Sequence, residues 1–400
     1  MGKLNTAPTA YAFDDFLLMP SHSKIKSRKD PDISIDIPGF KYRIPIVSSP
    51  MNTISEKEMV ITMYNLGGVG VIHRYMSIEE QVNMCRAVSV RLSDAISGYL
   101  RLSDAGSVNG SSEPGSVNGS SEPGSIMNGT SDPDSVNGSL DPDPVTPLFY
   151  AAIGANGDSN ERLDILLGAG VQGICVDVAN GHNELCIRAV EDIGRRNSKV
   201  RIMAGNVCTY EGARDLAAAG AHSIRIGVGP GSLCTTRLIT GHGVPQLSAI
   251  ENCLKIKLDY PDVALIADGG IRTSGDVVKA LAIGADCVML GSLLAGTTES
   301  PGEWLEEDGR LFKYYHGMAS EAGRKKWFDK SKAGLPNEGV STKVPYLGKS
   351  ASKIIEGLCQ SVKVGLSYSG ARNIEELRAN AKWCRVTAAG YIEGTPHGKR

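Results

Sequence analysis

Eight short apolar runs, each closed by glycine or a small polar residue, constrain this chain more than any other feature. They cover residues 44–49, 68–73, 151–155, 173–179, 201–207, 223–229, 264–270 and 287–292. Stretches between them, such as 184–195, 211–219 and 274–283, space their apolar residues as one face of a helix does. Alternating strand and helix implies parallel pairing, and eight such units over roughly 250 residues predict a (β/α)8 TIM barrel. A doubly wound sheet is the alternative, but it needs a GxGxxG opening its first helix, and none is well placed.

One segment breaks the pattern. The nine residues from Gly106 to Pro114 recur almost unchanged from Gly115 to Pro123, inside a Gly/Ser/Pro-rich stretch from 96 to 147. Such a composition buries too little apolar surface to order itself, so we read a disordered low-complexity insertion without chemistry. The barrel is then assembled from 1–95 and 148–400. Across 400 residues the formal net charge is -2, which argues against nucleic acid as the main partner. Nine scattered cysteines without CxxC spacing, no signal peptide and no apolar run of membrane length point to a reduced cytoplasm. They also disfavour a zinc site and a membrane anchor.

Barrel chemistry gathers at the C-terminal ends of the strands. There the chain places Asp177-Val-Ala-Asn-Gly181, Gly205-Asn206, Gly229-Pro-Gly-Ser-Leu-Cys-Thr-Thr-Arg237, Asp268-Gly-Gly270 and Gly291-Ser292. The last two sit where barrels hold a phosphate, so a phosphorylated ligand is expected, with Asp268 suited to a pair of ribose hydroxyls. Cys234, in a loop of glycines and hydroxyls, is a candidate nucleophile. Thr236 is its proton relay, and Arg237 with the loop amides is the candidate source of thiolate activation. A second polar excursion, 317–348, reads as a mobile flap over the mouth and carries Glu338, a candidate proton acceptor.

The chain resembles the IMP dehydrogenase / GMP reductase family over nearly its whole length outside the insertion. The motifs are Phe13-Asp-Asp-Phe-Leu-Leu18, Ser48-Ser-Pro-Met51, Gly70-Val-Ile-His73, Ala204-Gly-Asn-Val207, the Cys234 loop, Gly243-Val-Pro-Gln246, Asp268-Gly-Gly270, Met289-Leu-Gly291, Gly317-Met318 and Tyr368-Ser-Gly-Ala371. The resemblance implies a purine mononucleotide, GMP or IMP, held by Ser49, Met51, Ser232, Asp268, Gly270, Gly291, Ser292, Tyr315, Gly317, Met318 and Ala319, with Cys234 adding to C2 of the purine. It implies a nicotinamide cofactor, NADPH or alternatively NAD, near Arg74, Asp177, Val178, Ala179, Asn180, Gly227, Val228 and Gly229. Ser369 and Gly370 of a neighbouring subunit complete that site in a homotetramer. A monovalent cation, K+, is implied on the carbonyls of Gly229, Gly231 and Cys234.

Within the family the flap discriminates. Dehydrogenases use an Arg-Tyr pair there to activate water, whereas this chain has Lys326-Trp327-Phe328 and a short span from Met318 to Gly339. Thr240-Gly241, Gln246-Leu-Ser-Ala249 and residues 177–181 also resemble reductases. Tyr315-His316, Gly269-Gly-Ile-Arg272 and Ser77-Ile-Glu-Glu-Gln81 resemble dehydrogenases, and Leu335 and Asn52 stand where the reductase pattern has arginine and aspartate. The expectation is a GMP reductase acting through Cys234, Thr236 and Glu338. IMP dehydrogenase is the alternative, and a non-catalytic nucleotide-binding regulator the second alternative.

Overall fold

The computed structural model describes residues 6–106, 148–326 and 336–396. Eight parallel strands form one sheet: β1 (Ile46–Ser48), β2 (Val71–Ile72), β3 (Tyr150–Ile153), β4 (Gly173–Asp177), β5 (Arg201–Val207), β6 (Ser223–Ile226), β7 (Ala264–Asp268) and β8 (Cys287–Leu290). Each strand from β2 to β8 pairs with the next, and β8 pairs with β1. A parallel bridge between Val47 and Val69 closes the ring, with Ser48 N donating to Val69 O at 3.0 Å and Val69 N to Ile46 O at 3.2 Å. The expected TIM barrel is therefore present; seven of the apolar runs contain a whole strand, and the eighth overlaps β3, which begins one residue earlier at Tyr150.

Most strands are shorter than the runs, and in several the last residues of the run leave the ladder and pack near the mouth. The run 223–229, for instance, stops pairing at Ile226 and continues as the floor of the cysteine loop. Helices α1 (Lys57–Asn65), α2 (Ile78–Gly106), α3 (Ser159–Gly168), α4 (Glu184–Arg196), α5 (Tyr210–Ala218), α6 (Gln246–Leu254), α7 (Ser274–Ile283) and α8 (Ala351–Tyr368) follow the successive strands. Polar residues start them where the sequence changes period. Asn183 accepts from Cys186 N, Thr209 from Gly212 N and Thr273 from Asp276 N, while Asp276 returns the contact to Thr273 N. α2 continues to Gly106, into the stretch that composition assigns to the insertion; Arg91-Leu-Ser-Asp-Ala95 and its copy at 101–105 contain adequate helix formers. The repeats themselves lie outside the described residues.

Alternate side chains of the strands point in and out, and both sets are buried. Ile174, Val176, Ile202, Ala204, Ile224 and Leu265 belong to the layer beneath the helices. Val47, Val71, Ala152, Cys175, Met203 and Ile266 fill the barrel. An antiparallel hairpin, Ile35–Ile37 with Phe40–Tyr42, closes the N-terminal end by inserting Ile35, Phe40 and Tyr42 into that interior. The other end is open. Beside it stands a three-stranded antiparallel sheet of Trp304–Glu307, Arg310–His316 and Ser341–Pro345, the rigid base of the flap. Among the described residues no helix is long and apolar enough to cross a membrane.

Candidate active site

A cavity of about 570 Å³ occupies the open mouth, a size suited to small-molecule ligands. Its lining includes Cys234, Thr236 and Glu338; Ser49, Met51, Ser232, Asp268, Tyr315, Gly317, Met318 and Ala319; and Arg74, Asp177, Val178, Ala179, Gly227, Gly229 and Gly231. Most of the residues expected from sequence thus meet in one place. Gly291 lies directly behind, where an added Cβ would stand 3.3 Å from the Tyr315 hydroxyl and 3.7 Å from Met51 Sδ. Asn180, Val228 and Gly270 flank lining residues without reaching the cavity, Ser292 follows Gly291 behind it, and Ser369 and Gly370 lie at the end of α8, where Gly370 packs against His22 and Ser23.

The cysteine loop owes its path to glycines. Gly227 leaves β6 with φ +144°, and a Cβ there would come within 2.2 Å of Asp268 O. Arg237 fills the space over Gly229 and Gly243 and donates from Nε to Val228 O at 3.1 Å and from Nη2 to Val244 O at 2.5 Å. This differs from the expected activating role, because the guanidinium is committed to loop carbonyls and acts as a brace. Cys234 N donates to Gly231 O at 3.0 Å, closing a tight turn over Gly231–Cys234.

Three side chains form a directed chain. Cys234 Sγ donates to Thr236 Oγ1 at 3.2 Å, and Thr236 Oγ1 donates to Glu338 Oε2 at 2.8 Å. Glu338 arrives from the flap, which is stitched to the cysteine loop by Thr235 N to Glu338 O and Val340 N to Leu233 O, both 3.0 Å. Gly317 N adds a bond to Val340 O. A proton on the thiol therefore has a hydrogen-bonded route to a carboxylate, the arrangement an activated nucleophile requires. Of the nine cysteines, all within the described residues, Cys234 alone lines the cavity. Several of the others are held as inert thiols by burial, which pushes Cys85, Cys175, Cys186 and Cys359 up to about 12. Trp327, Phe328 and Leu335 lie outside the described residues, as does the side chain of Lys326.

In the same loop as Cys234, Ser232 Oγ lies 3.2 Å from the Tyr315 hydroxyl. Burial raises the Tyr315 pKa, keeping its phenol a neutral donor beside Gly291. Deeper in the mouth are two residues that the sequence reading did not assign to ligands, Arg225 and Asn206. Arg225 projects inward from β6 and contacts both Asp177 and Asp268; Asn206 Nδ2 donates to Asp268 at 2.8 Å and to Gly227 O at 2.9 Å. The overlooked signal was an arginine inside the run Ser223-Ile-Arg-Ile-Gly227, a charge on a strand buried on both faces.

A family model described as the IMP dehydrogenase / GMP reductase domain matches residues 10–397. The chain belongs to that family. Members of the IMP dehydrogenase / GMP reductase family are oxidoreductases that use a nicotinamide cofactor. The chain is 36% identical to an inosine-5'-monophosphate dehydrogenase of Nitrosopumilus maritimus, over 96% of this chain and 97% of that one. It is 33% identical to a GMP reductase of Leishmania major, over 99% and 98% respectively. Among solved structures it is similar to a GMP reductase from Trypanosoma brucei in complex with guanosine 5'-monophosphate, with a TM-score of 0.82, 29% identity and full coverage of both chains.

Proposed function

We propose that this chain is a GMP reductase, converting GMP to IMP with release of ammonia and oxidation of NADPH. The observation that carries the reading is the Cys234–Thr236–Glu338 chain, which joins a nucleophile to a carboxylate through a hydroxyl. Cys234 adds to C2 of the purine as its proton passes through Thr236 to Glu338. The same path returns that proton to the C2 amino group, which leaves as ammonia and hands the C2 carbon to the sulfur. The nicotinamide, when bound, supplies the hydride that replaces the sulfur at C2, regenerating the thiolate. One GMP, one NADPH and one proton then give IMP, NADP+ and ammonia.

Asp268 accepts from the ribose hydroxyls. The backbone around Gly270, Gly291 and Ser292, with Ser232 and Tyr315, receives the phosphate. Ser49, Met51 and the flap residues Gly317, Met318 and Ala319 line the base. The cavity wall formed by Arg74, Asp177, Val178, Ala179 and Gly227 fits the nicotinamide cofactor, with Asn180, Val228 and Gly229 beside it, and Ser369 and Gly370 of a second subunit complete the site in a homotetramer. K+ fits the turn whose carbonyls belong to Gly229, Gly231 and Cys234, where it would fix the loop that presents the thiol. A cytoplasmic setting agrees with the free thiols.

The similarity to a relative named as an IMP dehydrogenase, at 36% identity against 33% for a relative named as a GMP reductase, supports a second reading in which IMP and NAD give XMP. The purified protein with K+ decides between them through the absorbance of reduced nicotinamide. GMP with NADPH should lose absorbance and release ammonia in equal amounts. Sustained gain with IMP and NAD, with XMP formed, would replace the reductase by the dehydrogenase.

A further inference from the structure

The two carboxylates of the mouth are assigned above to different ligands, yet one buried cation holds both. Arg225, whose side chain is 6% exposed, donates from Nε and Nη2 to Asp268 Oδ2 at 3.1 and 2.7 Å and from Nη1 to Asp177 Oδ1 at 2.5 Å. Asn206 adds a further donor to the same Asp268 oxygen. Oδ2 is thereby saturated. Oδ1 of Asp268 carries no hydrogen bond among the described residues, while Asp268 lines the cavity.

We propose that Arg225 is a positioning residue: it locks Asp268 in one rotamer so that its remaining oxygen faces the ribose diol, with Asp177 anchoring the other arm of the guanidinium. The proposal rests on the nucleotide reading above. Stability gives a poor reason for such a group, since well-packed apolar side chains commonly replace a buried ion network without loss. Geometry gives a better one. The network ties β4, β5, β6 and β7 together at their C-terminal ends, and a forked guanidinium can serve two carboxylates where an ammonium serves one point.

The groups facing Asp268 are Arg225 from β6, Asn206 from β5, Asp177 and Cys175 from β4, and Tyr315 from the flap sheet. Burial keeps the Cys175 thiol and the Tyr315 phenol neutral, leaving Arg225 as the compensating charge among these groups. Burial alone would weaken that charge, but the two carboxylates raise the Arg225 pKa further above its ordinary value.

Calorimetric binding of GMP and of 2',3'-dideoxy-GMP tests the role without turnover. The wild type should prefer GMP by about tenfold or more. Arg225→Gln combined with Asp177→Asn preserves the net charge of the group and so protects folding. Its preference should fall to within about twofold, because the carboxylate loses the fork that fixes its rotamer. Arg225→Lys, retaining charge without the fork, should lose preference as well. Equal weakening of both ligands, or an unchanged preference in both variants, would overturn the positioning role. A wild type that binds neither ligand would overturn the nucleotide reading, and this role with it.

Discussion

The two ends of the barrel solve opposite problems with the same strands. At the N-terminal end Phe40 and Tyr42, with ring centroids 4.8 Å apart, plug a largely apolar interior beside Val47, Val71 and Tyr150. At the C-terminal end Asp177, Arg225 and Asp268 bring charge into the same cylinder, and glycines admit backbone to a cavity. Stability should therefore respond to changes at the closed end and chemistry to changes at the open end, as expected where catalytic residues sit on strand termini of a packed scaffold.

The sharpest break between the ends is Cys234→Ala. Turnover should fall by at least about 10³-fold while mononucleotide affinity and melting temperature stay near wild type, measured by steady-state kinetics, calorimetry and thermal denaturation. Next in size, Phe40→Ala should lower the unfolding free energy by about 3–5 kcal/mol in denaturant titrations and leave kcat unchanged in the folded fraction. If it altered kcat as strongly as stability, the separation of the ends would fail. Thr236→Val should reduce turnover by about 10²-fold, with Thr236→Ser restoring most of it, because the relay needs the hydroxyl alone.

The smallest effect concerns His222, immediately before β6 at the closed end. Burial, with Arg201 adding to it, holds its pKa down at about 4, and its Nδ1 accepts from Ile202 N at 3.1 Å, which requires a neutral ring. The unfolded chain, with an ordinary imidazole near about 6.5, binds more protons between these values. The contribution is thus complete above about pH 6.5 and is lost as pH falls toward about 4. With part of the ring exposed it amounts to about 1 kcal/mol. Stability curves of wild type and His222→Asn should converge over that window, and parallel curves would remove His222 from the explanation.

The fold was legible because a barrel strand is buried on both faces, so each run reads as continuous apolar sequence. Strand ends were less legible. Residues such as Val228 are apolar for packing under the mouth after pairing has ceased, so the run outlasts the strand. Cys234, Thr236 and Asp268 stood out within local motifs. The partner Glu338 lies 102 positions from Thr236, and its pairing came from family resemblance, since flap polarity alone carries little weight. Arg225 finds its carboxylates 48 and 43 positions away, a contact that local spacing does not encode, and its charge within an apolar run was the available clue.

The central claim is that ammonia loss depends on the Glu338 relay far more than the hydride step does, because the leaving amine needs the relayed proton and the hydride does not. Rapid mixing of Glu338→Gln and wild type isolates the two steps. GMP with NADPH reports ammonia loss, whereas IMP with NADP+ and no ammonia reports hydride transfer in reverse, as a burst of reduced nicotinamide stoichiometric with Cys234. The account predicts that the variant consumes GMP about 10²-fold more slowly yet keeps the burst rate within about tenfold of wild type. Equal slowing of both steps, or a burst that continues into sustained turnover, would contradict it.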